Sequence, residues 1–304
     1  MRVLIVGLPF FAERLTTNLN RFDPNNSYVN LNTYYSKLDR LRAYFLIRKA
    51  DVVFSINGSL SDSRLFDMAL ERDIPLIMNW VGTDVLKATQ AVNSGKFRKD
   101  YRDKAVHFCE VDWIKEELSE IGISAEISNF AAFDRSFEVI KRDNERMKVL
   151  SYISEERANF YGMNEFLNLA RAFPDVDFVI AGAKAEKFNP LPNNLVGLGW
   201  VDDMDSLFNS VDVCLRYPEH DGLSTFILEA LARGKNVLYK YRFDHCHHCP
   251  DVSSLEKKIS ELEAFHRKGE LEFNYSGKEF IERQFNSEVI FGSLTDKLKT
   301  ISEG

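Results

Sequence analysis

The sequence predicts an α/β protein built from two parallel-sheet units in tandem, and three observations carry that prediction. Short runs rich in Val, Ile and Phe recur between longer segments of helical period, the pattern of strands covered on both faces by crossover helices. The alternation pauses at a charged, strand-free stretch, Lys141–Arg146, and restarts with Met147–Ile153. A chain of 304 residues also accommodates two cores of about 150 residues each better than one.

The first unit, residues 1–146, reads as strands Val3–Val6, Asp51–Ile56, Pro75–Met78, Ala105–Cys109 and Ala125–Ser128, with helices near 11–21, 35–49, 61–72, 95–103 and 111–121. Gly122 ends the last of these helices. The second, residues 147–286, continues from Met147–Ile153 through helix 162–173, strands Phe178–Ala181 and Leu195–Leu198, helix 203–209, strand Val213–Arg216, helix 225–233 and strand Asn236–Tyr239. Helical patterns at 253–268 and 287–301 close the chain. The expectation is two Rossmann-like units of similar size facing each other.

Composition narrows the classes. With 45% hydrophobic and 28% charged residues the chain folds as a globular protein, and no run approaches the roughly 20 apolar residues of a membrane span, so a cytoplasmic location is expected. Four cysteines in this length are no disulfide framework, and reduced thiols are expected. The net charge of -7 argues against a nucleic-acid partner, but it is uneven: residues 1–146 hold 21 basic and 21 acidic side chains against 18 and 25 in the rest. In the neutral half the basic residues gather at Lys37, Arg40, Arg42, Arg48 and Lys49, and again at Lys96, Arg98, Lys99, Arg102 and Lys104. Solvated helix faces would explain both groups; so would a patch that docks on an anionic membrane or holds a phosphate-bearing acceptor.

No dinucleotide fingerprint follows either opening strand, and Gly197-Leu-Gly199 leads into Trp-Val rather than a helix, which disfavours a nicotinamide or flavin enzyme. No Walker lysine motif, H-E-x-x-H or G-x-S-x-G occurs.

The chemistry concentrates in Tyr217–Val237. The chain leaves a strand at Arg216, breaks at Gly222, and can be capped at Ser224 or Thr225 into a helix that stops at Gly234. Backbone N–H groups of Gly222, Leu223, Ser224 and Thr225, with the positive end of the helix dipole, suit an anion such as a diphosphate. Asp221 stands just outside that terminus and Glu229 one turn inside it, on the face of Thr225, so two carboxylates can accept hydroxyls at opposite ends of a diphosphate-bridged ligand. A nucleotide sugar has that shape. His220 can touch the leaving phosphate or the sugar, or be an ordinary loop residue.

Asp221–Val237 resembles the E-x7-E signature of family 4 glycosyltransferases, usually E-G-x-G-x-x-x-x-E-A-x-A-x-G-x-P-V, with Asp221 at the first acid and matches at Gly222, Glu229-Ala230, Ala232, Gly234 and Val237. Phe108–Ile123 is similar to that family's strand and helix before the domain crossover, and Asn129–Asp134 to its N-G-V-D loop. Leu198-Gly-Trp-Val201 resembles the segment whose loop touches the base, which implies donor contacts for Trp200 and Val201. The resemblance implies a GT-B fold, with a cleft between the two domains, and retention of anomeric configuration. It also implies that residues 287–304 cross back to the first domain and couple closure to donor binding. Where the family carries an arginine and a lysine against the diphosphate, this chain has Glu155 and Tyr161; Arg157, Lys235, Lys240 and Arg242 are the nearby cations.

In the first unit, Asn79-Trp-Val-Gly-Thr-Asp84 resembles an H-W-x-G-T-D turn of such transferases. Trp80 could stack on an acceptor sugar while Thr83 and Asp84 bind hydroxyls; alternatively Thr83 or Asp84 caps a helix and Trp80 packs inside. The turn Gly7–Glu13, with Phe10, and the loop Asn57–Ser59 are further acceptor candidates. His245-Cys-His-His-Cys249 offers half of a zinc site; a loop near the nucleotide is the preferred reading and no metal is expected, with a partial or intermolecular zinc site as the other.

The expected function is a retaining hexosyltransferase with Asp221 and Glu229 as catalytic acids, a nucleotide diphosphate sugar as donor and a glycan or lipid-linked acceptor, in surface glycan synthesis. It needs no cofactor and sits in the cytoplasm, peripherally at the inner face of the membrane. The rival is a non-catalytic GT-B subunit that has lost its diphosphate clamp.

Overall fold

The computed structural model describes residues 1–140, 143–184, 188 and 190–304; Lys141 and Arg142 of the charged stretch lie outside it. The chain divides into two compact units, one of Met1–Ala132, Asp221–Leu223 and Phe285–Gly304, the other of Phe133–His220 and Ser224–Gln284.

In the first unit the order is β1 (Arg2–Gly7), α1 (Pro9–Phe22), β2 (Ser27–Asn30), α2 (Lys37–Leu46), β3 (Val52–Ile56), α3 (Arg64–Leu70), β4 (Leu76–Trp80), α4 (Thr83–Asn93), α5 (Lys99–Lys104), β5 (Val106–Cys109), α6 (Asp112–Glu120) and β6 (Ala125–Ile127). The strands pair in parallel in the order β2-β1-β3-β4-β5-β6. β3 and β4 are buried at every residue, as apolar strands under helices on both faces must be.

The second unit runs β7 (Lys148–Tyr152), α7 (Met163–Ala172), β8 (Asp177–Ala181), β9 (Leu195–Gly197), α8 (Met204–Ser210), β10 (Val213–Arg216), α9 (Thr225–Ala232), β11 (Asn236–Tyr239), β12 (His247–His248), α10 (Val252–Arg267) and α11 (Tyr275–Gln284). Its strands are again all parallel, in the order β12-β11-β10-β7-β8-β9.

The last helix, α12 (Ser287–Glu303), belongs to the first unit. Phe291 meets Phe22 of α1 with ring centroids 6.0 Å apart, and Lys297 Nζ donates to the carbonyl of Ile127 at 2.7 Å while lying 5.3 Å from the centre of the Phe108 ring. A cation at the carboxyl edge of β6 thus ties the end of the chain to that sheet.

Four elements differ from expectation. β2 is an edge strand with one buried side chain, α4 fills a stretch given no element beyond the alternative of a cap at Thr83 or Asp84, α11 buries only Gly277 and Ile281, and β12 is two residues long. The helix expected over 95–103 begins only at Lys99. No helix among the described residues is long and apolar enough to cross a membrane.

Gly7 closes β1 with φ +105°, and a Cβ there would fall on the carbonyl oxygen of Ile56. Both the backbone conformation and the close approach to β3 demand glycine. Gly7→Ala is expected to lower unfolding free energy by roughly 3 kcal/mol, read as a fall in the urea midpoint at unchanged slope.

Candidate functional site

In an open parallel sheet, ligands bind beyond the carboxyl ends of the strands, where the strand order reverses. In the second unit that point lies between β7 and β10. Arg216, the last residue of β10, is 6% exposed; its Nη1 donates to the carbonyl of Tyr152 at the end of β7 at 3.1 Å, and its guanidinium carbon stands 4.7 Å from the centre of the Tyr161 ring. A buried guanidinium is therefore fixed at the reversal by a carbonyl and an aromatic face. Sequence reasoning passed over it, although a charge closing the apolar run Val-Cys-Leu was the available signal.

The loops that follow β7 and β10 are joined: Glu219 N–H donates to the carbonyl of Phe160 at 2.8 Å. Lys240 Nζ donates to the carbonyls of Pro218 and Glu219, at 2.9 Å each, so its charge holds the second loop in place. Glu155 has its own task. Its Oε2 accepts from the backbone N–H of Lys184 at 3.5 Å, beyond β8, where Gly182 N–H also donates to the carbonyl of Gly199 at 2.7 Å. Beyond that carbonyl, Trp200 is 76% exposed with its Nε1 donating to Asp202 at 2.7 Å, and Val201 is half-buried.

The other cations fall in different places. Arg157 is exposed and stacks over Phe160, 3.9 Å from the ring centre, in a short turn of 3-10 helix, Glu155–Arg157. Lys235 precedes β11, so it lies at the amino end of the sheet; it is 2% exposed and donates to the carbonyl of Val211 at 2.8 Å, which removes it from the candidate clamp. Arg242 is exposed beyond β11.

α9 begins as expected at Thr225, with Ser224 in the N-cap position, but the Ser224 hydroxyl makes no cap bond. The Ser224 carbonyl instead accepts from Ile227 and Leu228 at 3.0 and 3.2 Å. The N–H groups of Thr225 and Phe226 precede the first intrahelical acceptor, as in any α-helix. Ser224 is buried, Thr225 and Glu229 are half-buried, and His220 is 7% exposed. Asp221, Gly222 and Leu223 count with the first unit: Trp113 Nε1 donates to the Asp221 carbonyl at 2.8 Å, Leu223 packs on that unit's core, and a Cβ on Gly222 would fall on the Val81 carbonyl. Gly222 is therefore required by close approach and not by a left-handed backbone.

Two of the first-unit candidates, Trp80 and Asp84, are corrected. Trp80 is completely buried, with its Nε1 donating to His107 Nδ1 at 3.1 Å, and offers no face to a sugar. His107 Nε2 lies 3.0 Å from the Arg102 carbonyl, which assigns the ring proton to Nε2; burial holds the His107 pKa below the usual value. Asp84 is 3% exposed, and its two oxygens accept from the N–H groups of Gly58 at 2.7 Å, Gly82 at 2.8 Å, and Val81 and Val85 at 3.1 Å. It pins the start of α4 to the loop after β3, although Gly82 holds the N-cap position; Thr83 is half-buried in the first turn. Phe10 is 67% exposed on α1.

What the reversal between β1 and β3 does offer is a cavity of about 280 Å³, walled by Gly7, Thr33, Arg40, Tyr44, Asn57 and Ser59 among others. The Gly7 turn and the Asn57–Ser59 loop thus share one pocket, with a guanidinium and a phenol beside them.

His245–Cys249 forms a turn and β12. His245 Nδ1 lies 3.1 Å from the Ser276 hydroxyl and His247 Nε2 3.3 Å from Asn236 Oδ1, and burial pushes the thiol of Cys249 up to about 11. No three His, Cys, Asp or Glu side chains among the described residues converge to hold a metal ion.

No family model matches the chain, and no curated protein matches it. Solved structures do, over nearly the whole of both chains. HepE of Anabaena in complex with UDP and glucose superposes with a TM-score of 0.71 at 11% identity over 99% of this chain and 100% of that one. Sucrose-phosphate synthase of Thermosynechococcus elongatus gives 0.73 at 10% and 99% of each chain. The lipopolysaccharide outer core galactosyltransferase WaaB gives 0.67 at 12% and 99% of each. The fold is that of the GT-B glycosyltransferases.

Glu110, immediately after β5, was not foreseen. It is 8% exposed, and burial, with the nearby Asp84 charge second, pushes its pKa up to about 8. The folded state therefore keeps a proton that the unfolded chain releases near pH 4.5, so this group erodes stability as pH rises from about 4.5 to about 8. Glu110→Gln is expected to leave unfolding free energy unchanged at pH 4 and to raise it by a few kcal/mol at pH 8.5, measured by urea titration across that range.

Proposed function

We propose that the chain is a retaining glycosyltransferase that moves a hexose from a nucleotide diphosphate sugar to a sugar or lipid-linked acceptor, in surface glycan synthesis at the cytoplasmic face of a membrane. The observation that carries the reading is the acid-x7-acid segment following β10 in a chain that matches GT-B glycosyltransferases along its whole length. HepE was solved with UDP-glucose, which makes that compound the first donor to try.

In this reading the diphosphate rests beside residues 222–225, on the N–H groups that open α9. Glu229 accepts from the ribose hydroxyls and Asp221 from the sugar, its shorter arm reaching about 1.5 Å less than glutamate would. His220 and the Trp200–Val201 turn flank the sugar and the base. When the bond from the anomeric carbon to the phosphate oxygen breaks, negative charge grows on the leaving diphosphate, and stabilising that charge is the main electrostatic demand of the step. Arg216, a cation fixed at the reversal point, serves in place of the two missing clamp residues, with Arg157 at the rim. The acceptor oxygen attacks from the face the diphosphate leaves, and its proton passes to that departing phosphate, so no protein base is assigned. The cavity beside β1 and β3 takes the acceptor. No cofactor or metal takes part.

Glu155 bound to a backbone amide and Tyr161 packed against Arg216 favour a second reading, a GT-B scaffold that binds no nucleotide and acts as a partner subunit. Calorimetry with UDP, GDP, ADP and their sugars separates the two. Folded Asp221→Ala and Glu229→Ala variants are expected to lose at least about 100-fold in transfer rate, and Arg216→Gln to weaken donor binding about tenfold or more. Absence of millimolar binding to every nucleotide sugar, or undiminished transfer by both acid variants, would sink the enzyme reading.

A further inference from the structure

We infer that α2, with the turn before it, is a docking face for an anionic lipid bilayer. The helix is amphipathic twice over. One side belongs to the protein: Ala43 is 1% exposed and Ile47, just past the helix, 0%, both in the apolar core of the first unit, while Arg40, Ala43 and Tyr44 wall the cavity beside β1 and β3. The other side is apolar and bare. Leu38 is 71% exposed, Leu41 53% and Phe45 61%, and the i, i+3, i+7 spacing places them within about 60° of one another around the axis. Tyr35, in the approach to the helix, is 78% exposed. Single exposed leucines mean nothing on a soluble surface, but a contiguous stripe has to be accounted for.

Charge decides what covers it. Residues 37–49 hold five basic side chains and one acidic, Asp39, in a chain whose net charge is -7. Along α2, Lys37 lies on one flank of the stripe and Arg42 on the other; Arg48 and Lys49 follow at its end, all exposed. Apolar side chains bordered by long cations that reach outward are the arrangement that inserts shallowly between acyl chains while its cations meet lipid phosphates. The second basic group of the sequence is different. Arg98 is held by Asp67 at 2.7 Å and Asp100 at 2.6 Å, and Arg102 by Asp103 at 2.7 Å, beside no apolar stripe. Among the described residues of the two groups, exposed hydrocarbon accompanies the cations of α2, where Arg42 pairs with Asp39 at 3.2 Å.

The inference rests on the proposed transferase only for its purpose: a helix that lies on the bilayer and also walls the cavity would present that cavity to a lipid-borne acceptor. Its test requires no nucleotide. The full chain is sedimented with vesicles of phosphatidylcholine alone and with phosphatidylglycerol added. Binding is expected to be at least about tenfold tighter on the anionic vesicles and to collapse in half-molar salt. Leu38→Ser, Leu41→Ser and Phe45→Ser together, or Lys37→Glu with Arg42→Glu and Arg48→Glu, are expected to abolish it at unchanged melting temperature, with any UDP binding by calorimetry unaltered. Because the salt and lipid dependence is read on the unaltered protein, the test does not depend on a variant folding. Absence of vesicle binding, equal binding to neutral and anionic vesicles, or binding indifferent to both sets of substitutions overturns the inference. So does a dimer in sedimentation velocity that the serine variant dissociates without any vesicle binding. Vesicle binding without nucleotide binding would leave this surface standing and remove the transferase reading.

Discussion

Parallel pairing is the constraint from which the rest follows. Each sheet is parallel throughout, so every connection crosses a face and every strand delivers its carboxyl end to the same edge. Residues far apart in sequence collect there without any local signal: Gly7, Asn57 and Thr33 around one cavity in the first unit, Tyr152 and Arg216 at the reversal in the second. β3 and β4, buried at every residue, hold one serine and one asparagine, and these exceptions are informative. Asn79 in β4 is 1% exposed with neither side-chain polar atom bonded, and Ser55 in β3 donates its hydroxyl to the Asn57 carbonyl at 2.9 Å.

Near these edges two carboxylates, Asp84 and Glu155, accept from backbone N–H groups. Asp84 takes four N–H groups and so spans the loop after β3 and the start of α4. Desolvation raises its pKa while those N–H groups oppose the rise. Glu155 does a lighter version of the same thing beyond β8. A carboxylate occupied in this way is poorly placed to bind substrate, since leaving N–H groups buried and unpaired costs about 1–3 kcal/mol each.

This division between acids that hold the fold and acids left for a ligand sets what could be read from the sequence. Strands buried on both sides announced themselves: Val213–Arg216 and Asn236–Tyr239 stand where the apolar runs placed them. β2 did not, because an edge strand reading Ser-Tyr-Val-Asn buries one side chain and has no alternation to detect. α11 buries two of ten residues, too few for a helical period to emerge. Trp80 and Asp84 sit in a turn whose residue types suit a sugar and a helix start equally well, and only the position of the His107 ring and the Gly58 amide decides between them. The extent of α9 was legible because Ser224 stands in the N-cap position and Gly234, with φ +67°, just past the end.

Arg216 is the charge that the strand reversal of the second unit has to accommodate. A guanidinium is never deprotonated, so burying Arg216 to 6% exposure beside apolar β-strands carries a desolvation cost. One carbonyl bond and the face of Tyr161 repay part of it. Tyr161 stands at a position where the resembling family places a lysine, and a lysine there would bring a second positive charge against Arg216. A tyrosine supplies the negative face of an aromatic ring instead, which makes the Arg216 position tenable. Tyr161 and Arg216 are thus matched to each other, while Arg157 of the same loop is exposed and stacks on Phe160 instead. Arg216, at the point where parallel topology brings two strand ends together, is the charge on which the proposed handling of a diphosphate rests.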